Sequence, residues 1–297
     1  CFCFNGPHGT HYPSRPTVTR PAAAFAGDAA FKYHRELYCE DWAWERALSA
    51  KAPEGNFFAH NLCTLFPVAK YAKEPWKSKL MPFIRGKRID PPAPDWGWQP
   101  CLSNPEVLAE AKKNVLAFFA QHPERQVYSL GMNDNQGFCT CDGCEAMNGG
   151  SVTNKCRSGH GELDSFSIAY FKWVNEIARA VRAKYPDRLI GVMAYNSVFD
   201  PPPFRLEDNV FVVLTGEIYQ TLEPKIRERR HAWMLAWQEK CRAFGLYGYE
   251  YGARTYYVPR VYTRLIDDYF TAKNRDLPAL NGFFAESHPC VGEGPKR

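Results

Sequence analysis

Two kinds of hydrophobic pattern alternate along most of the chain. Residues 103–126 and 164–187 carry apolar positions at the spacing of an amphipathic helix. The first of these helices has a start signal, because Ser103 or Asn104 suits the N-cap position and Pro105 suits the first turn. Further helices are predicted at residues 41–51, around 226–243 and around 260–275.

The second pattern consists of short apolar runs that contain many β-branched and aromatic residues. These runs predict strands at residues 31–39, 56–62, 127–132, 188–198, 209–219, 244–253 and 280–287. Repeated strand-then-helix order is typical of a parallel sheet, and about eight such units favour a closed barrel over an open, doubly wound sheet. The pattern therefore predicts the α/β class and a (β/α)8 TIM-type barrel.

The two ends of the chain depart from this pattern. Residues 1–30 are rich in Pro, Gly and Ala without a sustained period, which indicates a linker or the remnant of a preceding domain. Residues 31–297 are predicted to form the barrel. The chain stops at Arg297, soon after the last predicted strand, so we expect the barrel to lack its final helix here and the natural protein to be longer.

Composition and charge argue against two classes of protein. The net charge is +5, and Lys and Arg are spread without the dense basic runs that favour binding to nucleic acid. No apolar run approaches the roughly 20 residues of a membrane span, and no secretion signal opens the chain. We therefore expect no nucleic-acid partner and no transmembrane segment, while the oligomeric state stays open.

Acidic residues recur where the predicted strands end. Asp134 follows the strand at 127–132, Glu250 ends the run LYGYE, and Glu286 ends the run GFFAE. In a barrel these strand ends share one rim, where the chemistry gathers. Glycoside hydrolysis uses two carboxyl groups, one to protonate the leaving oxygen and one to act as nucleophile or base. We predict Asp134 as general acid, Glu286 as nucleophile or base, and Glu250 as second base or positioning acid, although a single rim acid is more often a cap or an ion-pair partner.

Five further residues near strand ends are candidate sugar contacts, namely Asn133, His60, Trp98, Tyr195 and Tyr251. Aromatic faces suit sugar rings, and an aromatic content of 15% provides many of them. The competing interpretation is structural, because aromatic side chains more often pack in the core and a lone histidine is as often a satisfied structural group. We expect a carbohydrate as the ligand of this rim.

A cysteine-rich loop follows Asp134. Cys139, Cys141 and Cys144 form a C-x-C-x-x-C pattern, and Cys156 lies a dozen residues further on. Four thiolates match a structural zinc site that leaves no open position for a substrate. Disulfides and free thiols are the alternative states of the same residues. In each case the loop is expected to brace the segment after Asp134, and no cofactor is expected for catalysis.

One long stretch of the chain resembles a known family. The residues CLSNPEVLAEAKKNVLAFFAQHPERQVYSLGMNDNQGFCTCDGC are similar to the bacterial barrel family catalogued as domain of unknown function 4838, in which a SNPEV helix, an NDN turn and a C-x-C-x-x-C loop occur in this order. The likeness extends through YPDRLIGVMAYN, NVFVVL, LYGYEY and GFFAES, and so covers most of residues 31–287. The family in turn resembles the glycoside hydrolase barrels of the β-N-acetylhexosaminidases and α-glucuronidases.

This resemblance implies a carbohydrate-active barrel and favours a periplasmic or extracellular location. In the hexosaminidases an Asp-Glu pair closes the fourth strand, and the run LGMND would put Asn133 in place of that Asp and Asp134 in place of the acid Glu. Loss of the Asp argues against a true hexosaminidase. The α-glucuronidases, which carry acids on later strands too, fit Glu250 and Glu286 better.

The function expected from these observations is hydrolysis of a glycosidic bond in a polysaccharide or glycan by carboxylate acid-base catalysis. Two alternatives stay open: a carbohydrate-binding barrel without turnover, and a zinc-dependent hydrolase built on the cysteine loop. Carboxyl groups that face each other across one pocket favour the enzyme, whereas acids paired with Arg or Lys favour the binding protein.

Overall fold

The protein is a mixed α/β structure built around a six-stranded parallel sheet. A computed structural model describes residues 33–37, 58–90, 97–150, 155–158, 161–216, 224–249 and 275–286. Its strands are β1 (Tyr33–Leu37), β2 (Phe83–Ile84), β3 (Lys87–Arg88), β4 (Val127–Ser129), β5 (Lys155–Ser158), β6 (Gly161–Asp164), β7 (Leu189–Ala194), β8 (Val210–Gly216), β9 (Ala243–Tyr249) and β10 (Leu280–Glu286). Its helices are α1 (Leu62–Leu65), α2 (Val68–Tyr71), α3 (Trp76–Leu80), α4 (Pro105–Gln121), α5 (Asp142–Met147), α6 (Ser167–Lys184) and α7 (Pro224–Gln238), with a 3-10 turn at Asn196–Val198.

The central sheet has the strand order β1-β10-β9-β8-β7-β4, and every neighbouring pair is parallel. Parallel neighbours need a crossover connection, which α6 provides between β4 and β7 and α7 provides between β8 and β9. Residues 58–60 extend the row beside β4 through a parallel bridge between His60 and Gly131. The predictions of an α/β class and a parallel sheet are therefore confirmed.

Helix α4 begins where its sequence signals predict. The Asn104 side chain accepts a hydrogen bond from the Glu106 backbone N–H at 2.9 Å, and Pro105 occupies the first position of the helix. In the apolar stripe of the helix, Val107 and Val115 are fully buried against the rest of the core, and Phe118 is partly buried. Asn104 is thus the cap, and Ser103 is left for another contact.

Apolar side chains cover both faces of the sheet. One cluster lies on the first face and consists of Phe58, Val127, Met193, Phe211, Val213 and Phe284. The intervening residues of the same strands, such as Val192, Val212 and Leu214, join the larger cluster formed with the helices. Strands that are buried on both faces read as continuous apolar runs, which explains why the sequence of β8 shows no polar alternation.

The sheet is strongly curved toward its first face. Neighbouring strands lie about 4.8 Å apart, so a flat sheet would separate the 58–60 segment from β10 by about 24 Å. The ring centroids of Phe58 and Phe284 are instead 4.7 Å apart, and Phe58 also meets Tyr247 of β9 at 5.6 Å. The two ends of the row therefore bend toward each other around a shared apolar core.

Closure of this curved sheet into a barrel is not observed among the described residues, where β1 and the 58–60 segment have no pairing with each other. The predicted helix at 41–51 and the segment 1–30 lie outside the described residues, as does the predicted helix around 260–275 except for its last residue. The helix predicted around 226–243 is present as α7. None of the helices in the described ranges has both the length and the apolar character needed to cross a bilayer.

Gly131 allows the 58–60 segment to lie unusually close to the end of β4. A Cβ atom at this position would lie 2.2 Å from the Phe58 carbonyl oxygen and 2.4 Å from the Ala59 carbonyl oxygen. The Asn61 backbone N–H donates to the Gly131 carbonyl oxygen at 2.9 Å, and the Ser129 hydroxyl donates to the Ala59 carbonyl oxygen at 2.5 Å. This close approach brings His60 to the carboxyl end of β4.

Candidate active site

Asp134 and Tyr195 meet at the carboxyl edge of the sheet. Strands β4 and β7 are parallel neighbours; Tyr195 directly follows β7, and Asp134 lies five residues after the end of β4. Side chains that follow neighbouring parallel strands share one edge, so their meeting follows from the topology. The Tyr195 hydroxyl donates to Asp134 Oδ1 at 2.9 Å, while 53% of the Asp134 side chain stays exposed.

His60 completes this group from the 58–60 segment. Its Nδ1 lies 2.5 Å from the Met132 carbonyl oxygen, which can only accept a hydrogen bond. Nδ1 therefore carries the ring proton, and Nε2 faces Asp134 Oδ1 at 3.9 Å as an acceptor when the ring is neutral. The rings of His60 and Tyr195 meet edge to face, with centroids 5.6 Å apart.

The arrangement leaves one oxygen of Asp134 available for proton transfer. Oδ1 is occupied by the Tyr195 hydroxyl, whereas Oδ2 receives no hydrogen bond from the residues that the structure describes. Within the same part of the chain, Asp134 makes no ion pair with Arg or Lys. A carboxyl group held at one oxygen and open at the other can donate or accept a proton at a fixed position.

Asn133 and Trp98 do not occupy the positions expected of sugar contacts. Both residues are fully buried. The Asn133 side chain accepts a hydrogen bond from the Cys63 backbone N–H at 2.9 Å and donates one to the Trp98 carbonyl oxygen at 2.7 Å. Both amide atoms of Asn133 are used inside the protein, and the Trp98 side chain has no exposed surface. The interpretation of these two residues as sugar contacts is therefore corrected to a structural one.

Gln99, which sequence reasoning missed, holds the backbone beside Asp134. Its fully buried side chain accepts a hydrogen bond from the Asn133 backbone N–H at 3.1 Å and donates one to the Asn133 carbonyl oxygen at 2.8 Å. The Gln99 backbone N–H also donates to the Gly137 carbonyl oxygen at 3.2 Å. A polar residue in the aromatic stretch GWQPC was the available signal, since a buried amide needs several partners.

The remaining candidates of the rim are Glu250, Tyr251 and Glu286. Glu250 and Tyr251 lie outside the described residues. Glu286 is the last residue of β10 and pairs in register with Tyr249 of β9. The backbone of Glu286 thus lies at the same carboxyl edge of the sheet as the ends of β4 and β7.

Next to the rim lies a cluster of four cysteines, but its membership differs from the expected one. The Sγ atoms of Cys101, Cys139, Cys141 and Cys144 all lie within 4.8 Å of one another. Cys156 is not part of this cluster, because its thiol is directed to the Asn196 carbonyl oxygen at 3.4 Å. The expected set is therefore corrected by replacing Cys156 with Cys101, a cysteine that stands alone in the sequence.

Thiols this close cannot all ionise without a counter-charge, because like charges repel. Hydrogen bonds from Cys139 and Cys144 lower the pKa of the Cys101 thiol. The contact with Cys101 in turn raises the pKa of Cys139, and it raises that of Cys144 to about 12. Several thiolates in this cluster would therefore need a counter-charge beside them.

Comparison with known proteins identifies a family. The sequence model described as domain of unknown function (DUF4838) matches residues 4–287. The chain belongs to this family. No curated protein and no solved structure matches the chain. The description of this family names no activity.

Proposed function

We propose that this DUF4838 protein is a glycoside hydrolase that cleaves a glycosidic bond in a polysaccharide or glycan, with Asp134 as its general acid. The observation that carries this proposal is the half-exposed Asp134 carboxyl, which is fixed by Tyr195 and lies beside His60 at the carboxyl edge of a parallel sheet. Catalytic groups of α/β enzymes gather at this edge. The absence of an Arg or Lys partner among the described residues supports a reactive role over a structural ion pair.

We also propose that the curved sheet belongs to a TIM-type barrel. Read from the 58–60 segment, the row is 58–60, β4, β7, β8, β9, β10 and β1, so it follows the order of the chain until the last strand meets the first. This is the strand order of a ring that is open at one point, between β1 and the 58–60 segment. The contact between Phe58 and Phe284 supports the same geometry.

The proposed mechanism assigns a separate task to each side chain. Tyr195 occupies Oδ1 of Asp134, so the transferable proton belongs on Oδ2, from which it passes to the glycosidic oxygen as the bond to the anomeric carbon breaks. His60 Nε2, which lies 3.9 Å from Asp134 Oδ1, is proposed to accept a hydrogen bond from a sugar hydroxyl. Glu286 is proposed to attack the anomeric carbon or to activate water, and Glu250 to act as second base or positioning acid.

The decisive experiment compares substrates that differ in their leaving group. The full chain and the Asp134→Asn variant are assayed on polysaccharides and on aryl glycosides with poor and activated leaving groups. A general acid matters only when the leaving oxygen needs a proton, so the variant should lose most of its rate on poor leaving groups and much less on activated ones. Equal losses on both would assign Asp134 another role, and an unchanged rate would remove it from the mechanism.

A carbohydrate-binding protein is the alternative outcome of the same experiment. It would bind oligosaccharides in calorimetry without turnover by the full chain, and Tyr195→Phe would then weaken binding alone. In that case the proposal of hydrolysis fails, whereas the proposal of a sugar site at this rim stands.

A further inference from the structure

The cysteine cluster joins two distant segments of the chain. Cys101 belongs to the segment that precedes α4, whereas Cys139, Cys141 and Cys144 lie in the loop after Asp134 and in the first turn of α5. Cys101, Cys139 and Cys144 are buried, and Cys141 is partly exposed. The four sulfur atoms thus face one another in an interior that excludes most water.

The distances between the sulfur atoms suit a tetrahedral metal ion. Zinc binds thiolates at about 2.3 Å, and a tetrahedron of this size has sulfur-to-sulfur edges of about 3.8 Å. Cys101 Sγ lies 3.8 Å from Cys141 Sγ and 3.8 Å from Cys144 Sγ. Disulfides would pair the sulfurs two by two, whereas Cys101 is equally distant from two partners.

Hydrogen-bond donors surround the sulfur atoms as they do in thiolate sites. The Phe83 backbone N–H donates to Cys139 Sγ at 3.2 Å. The Cys144 thiol donates to Ser103 Oγ at 3.2 Å, and the single O–H of Ser103 can donate to Cys141 Sγ, which lies 3.6 Å from the same oxygen. Such donors orient the ligands and stabilise their negative charge.

We propose that Cys101, Cys139, Cys141 and Cys144 bind one zinc ion in a structural site. Four thiolates complete the coordination of zinc, so this ion has no open position for water or substrate and the cysteine loop is not the centre of a zinc-dependent hydrolase. The site is independent of the proposed glycosidase activity, because it rests only on the cluster.

The position of the site indicates what the ion would stabilise. Cys101 follows Gln99 by two residues, and Gln99 holds the backbone on both sides of Asn133. A metal ion bound by Cys101 and the 139–144 loop would therefore connect the segment that contains Gln99 to the loop after Asp134. This connection would restrain the turn that carries Asp134. Zinc would act here as a positioning element and not as a reactant.

The test uses the full chain produced with zinc in the growth medium and purified without chelator. Metal content is measured by mass spectrometry of the purified protein, and the full chain should contain one zinc ion. The Cys101→Ser variant should lose it. Cys156→Ser is the matched control, because Cys156 is a buried cysteine of the expected motif that lies outside the cluster. This control should retain the zinc ion.

A second measurement covers the case in which Cys101→Ser does not fold. X-ray absorption at the zinc edge of the full chain should show four sulfur ligands at about 2.3 Å, and cobalt reconstitution should give the spectrum of a tetrahedral cobalt thiolate. The proposal is overturned if the folded full chain binds no zinc after reconstitution under reducing conditions. It is also overturned if the ligands include nitrogen or oxygen, or if Cys156→Ser loses the metal while Cys101→Ser keeps it.

Discussion

Asn133 and Asp134 are adjacent in the chain, yet their surroundings are opposite. Asn133 is fully buried, and its side chain and backbone are all hydrogen-bonded. Asp134 leaves half of its side chain exposed, and from the described part of the chain this side chain receives one hydrogen bond, from Tyr195. The difference teaches how this turn is built: the hydrogen bonds of Asn133 fix the backbone inside the protein, whereas the next residue presents its carboxyl group to solvent.

The largest effect is expected from a substitution of Asp134, the exposed residue of the pair. Asp134→Asn keeps the size of the side chain and removes the proton donor, so kcat on unactivated glycosides should fall by about 10²- to 10⁴-fold. The melting temperature should stay close to that of the unchanged protein, because the side chain lies largely in solvent. Steady-state kinetics and thermal denaturation check both parts, and a large loss of stability would contradict the division between the two residues.

A substitution of Asn133, the buried residue of the pair, should lower the stability of the protein. Asn133→Ala leaves the Cys63 N–H and the Trp98 carbonyl oxygen without their partners in the interior, which should lower the free energy of unfolding by about 3 kcal/mol. Denaturant titration measures this loss. Gln136→Ala is the control, since Gln136 is exposed in the same loop and should change stability little.

A smaller loss of stability is expected where the 58–60 segment crosses the end of β4. Gly131→Ala would place a methyl group against two backbone carbonyl oxygens. The backbone must shift to remove this clash, which should lower the free energy of unfolding by about 2 kcal/mol. The shift should also move His60 away from Asp134 and raise KM for any substrate that His60 contacts. An unchanged melting temperature would mean that the two segments are not held this close in solution.

The smallest effect tests the contact between the rim residues themselves. Tyr195→Phe removes the hydroxyl that occupies Asp134 Oδ1, and a hydrogen bond to a charged group of this kind should account for about a tenfold change in kcat. The comparison variant is Tyr185→Phe, because the Tyr185 ring packs against Phe119 away from the rim. Equal activity in both variants would show that Tyr195 does not hold the acid.

Much of the secondary structure could be predicted from the sequence, because its signals are local. The helices α4 and α6 and the strands β7 to β10 lie within or close to the predicted ranges. The order of strands and helices then led to a parallel sheet, and the same rule placed Asp134 and Tyr195 at one edge of it. Residues at strand ends are brought together by topology, and topology follows from the order of elements.

The roles within the site were harder to predict. Asp134 was predicted as general acid and Asn133 and Trp98 as sugar contacts, because neither spacing nor residue type tells which of several neighbouring side chains points inward. Burial decided between them, and it depends on the path of the 97–103 segment. Gln99 and Cys101 belong to that segment and were overlooked for the same reason.

By itself, the sequence determined the α/β class, the start of α4 near Pro105, the apolar strands and the presence of a sulfur-rich loop after Asp134. Only the tertiary structure decided that Cys101 joins this loop while Cys156 turns to Asn196. It also decided that the Asn133 side chain is buried, whereas half of the Asp134 side chain is exposed to solvent. The physical reason is that periodicity and capping act over a few residues, whereas ligand sets and burial depend on which distant segments pack together.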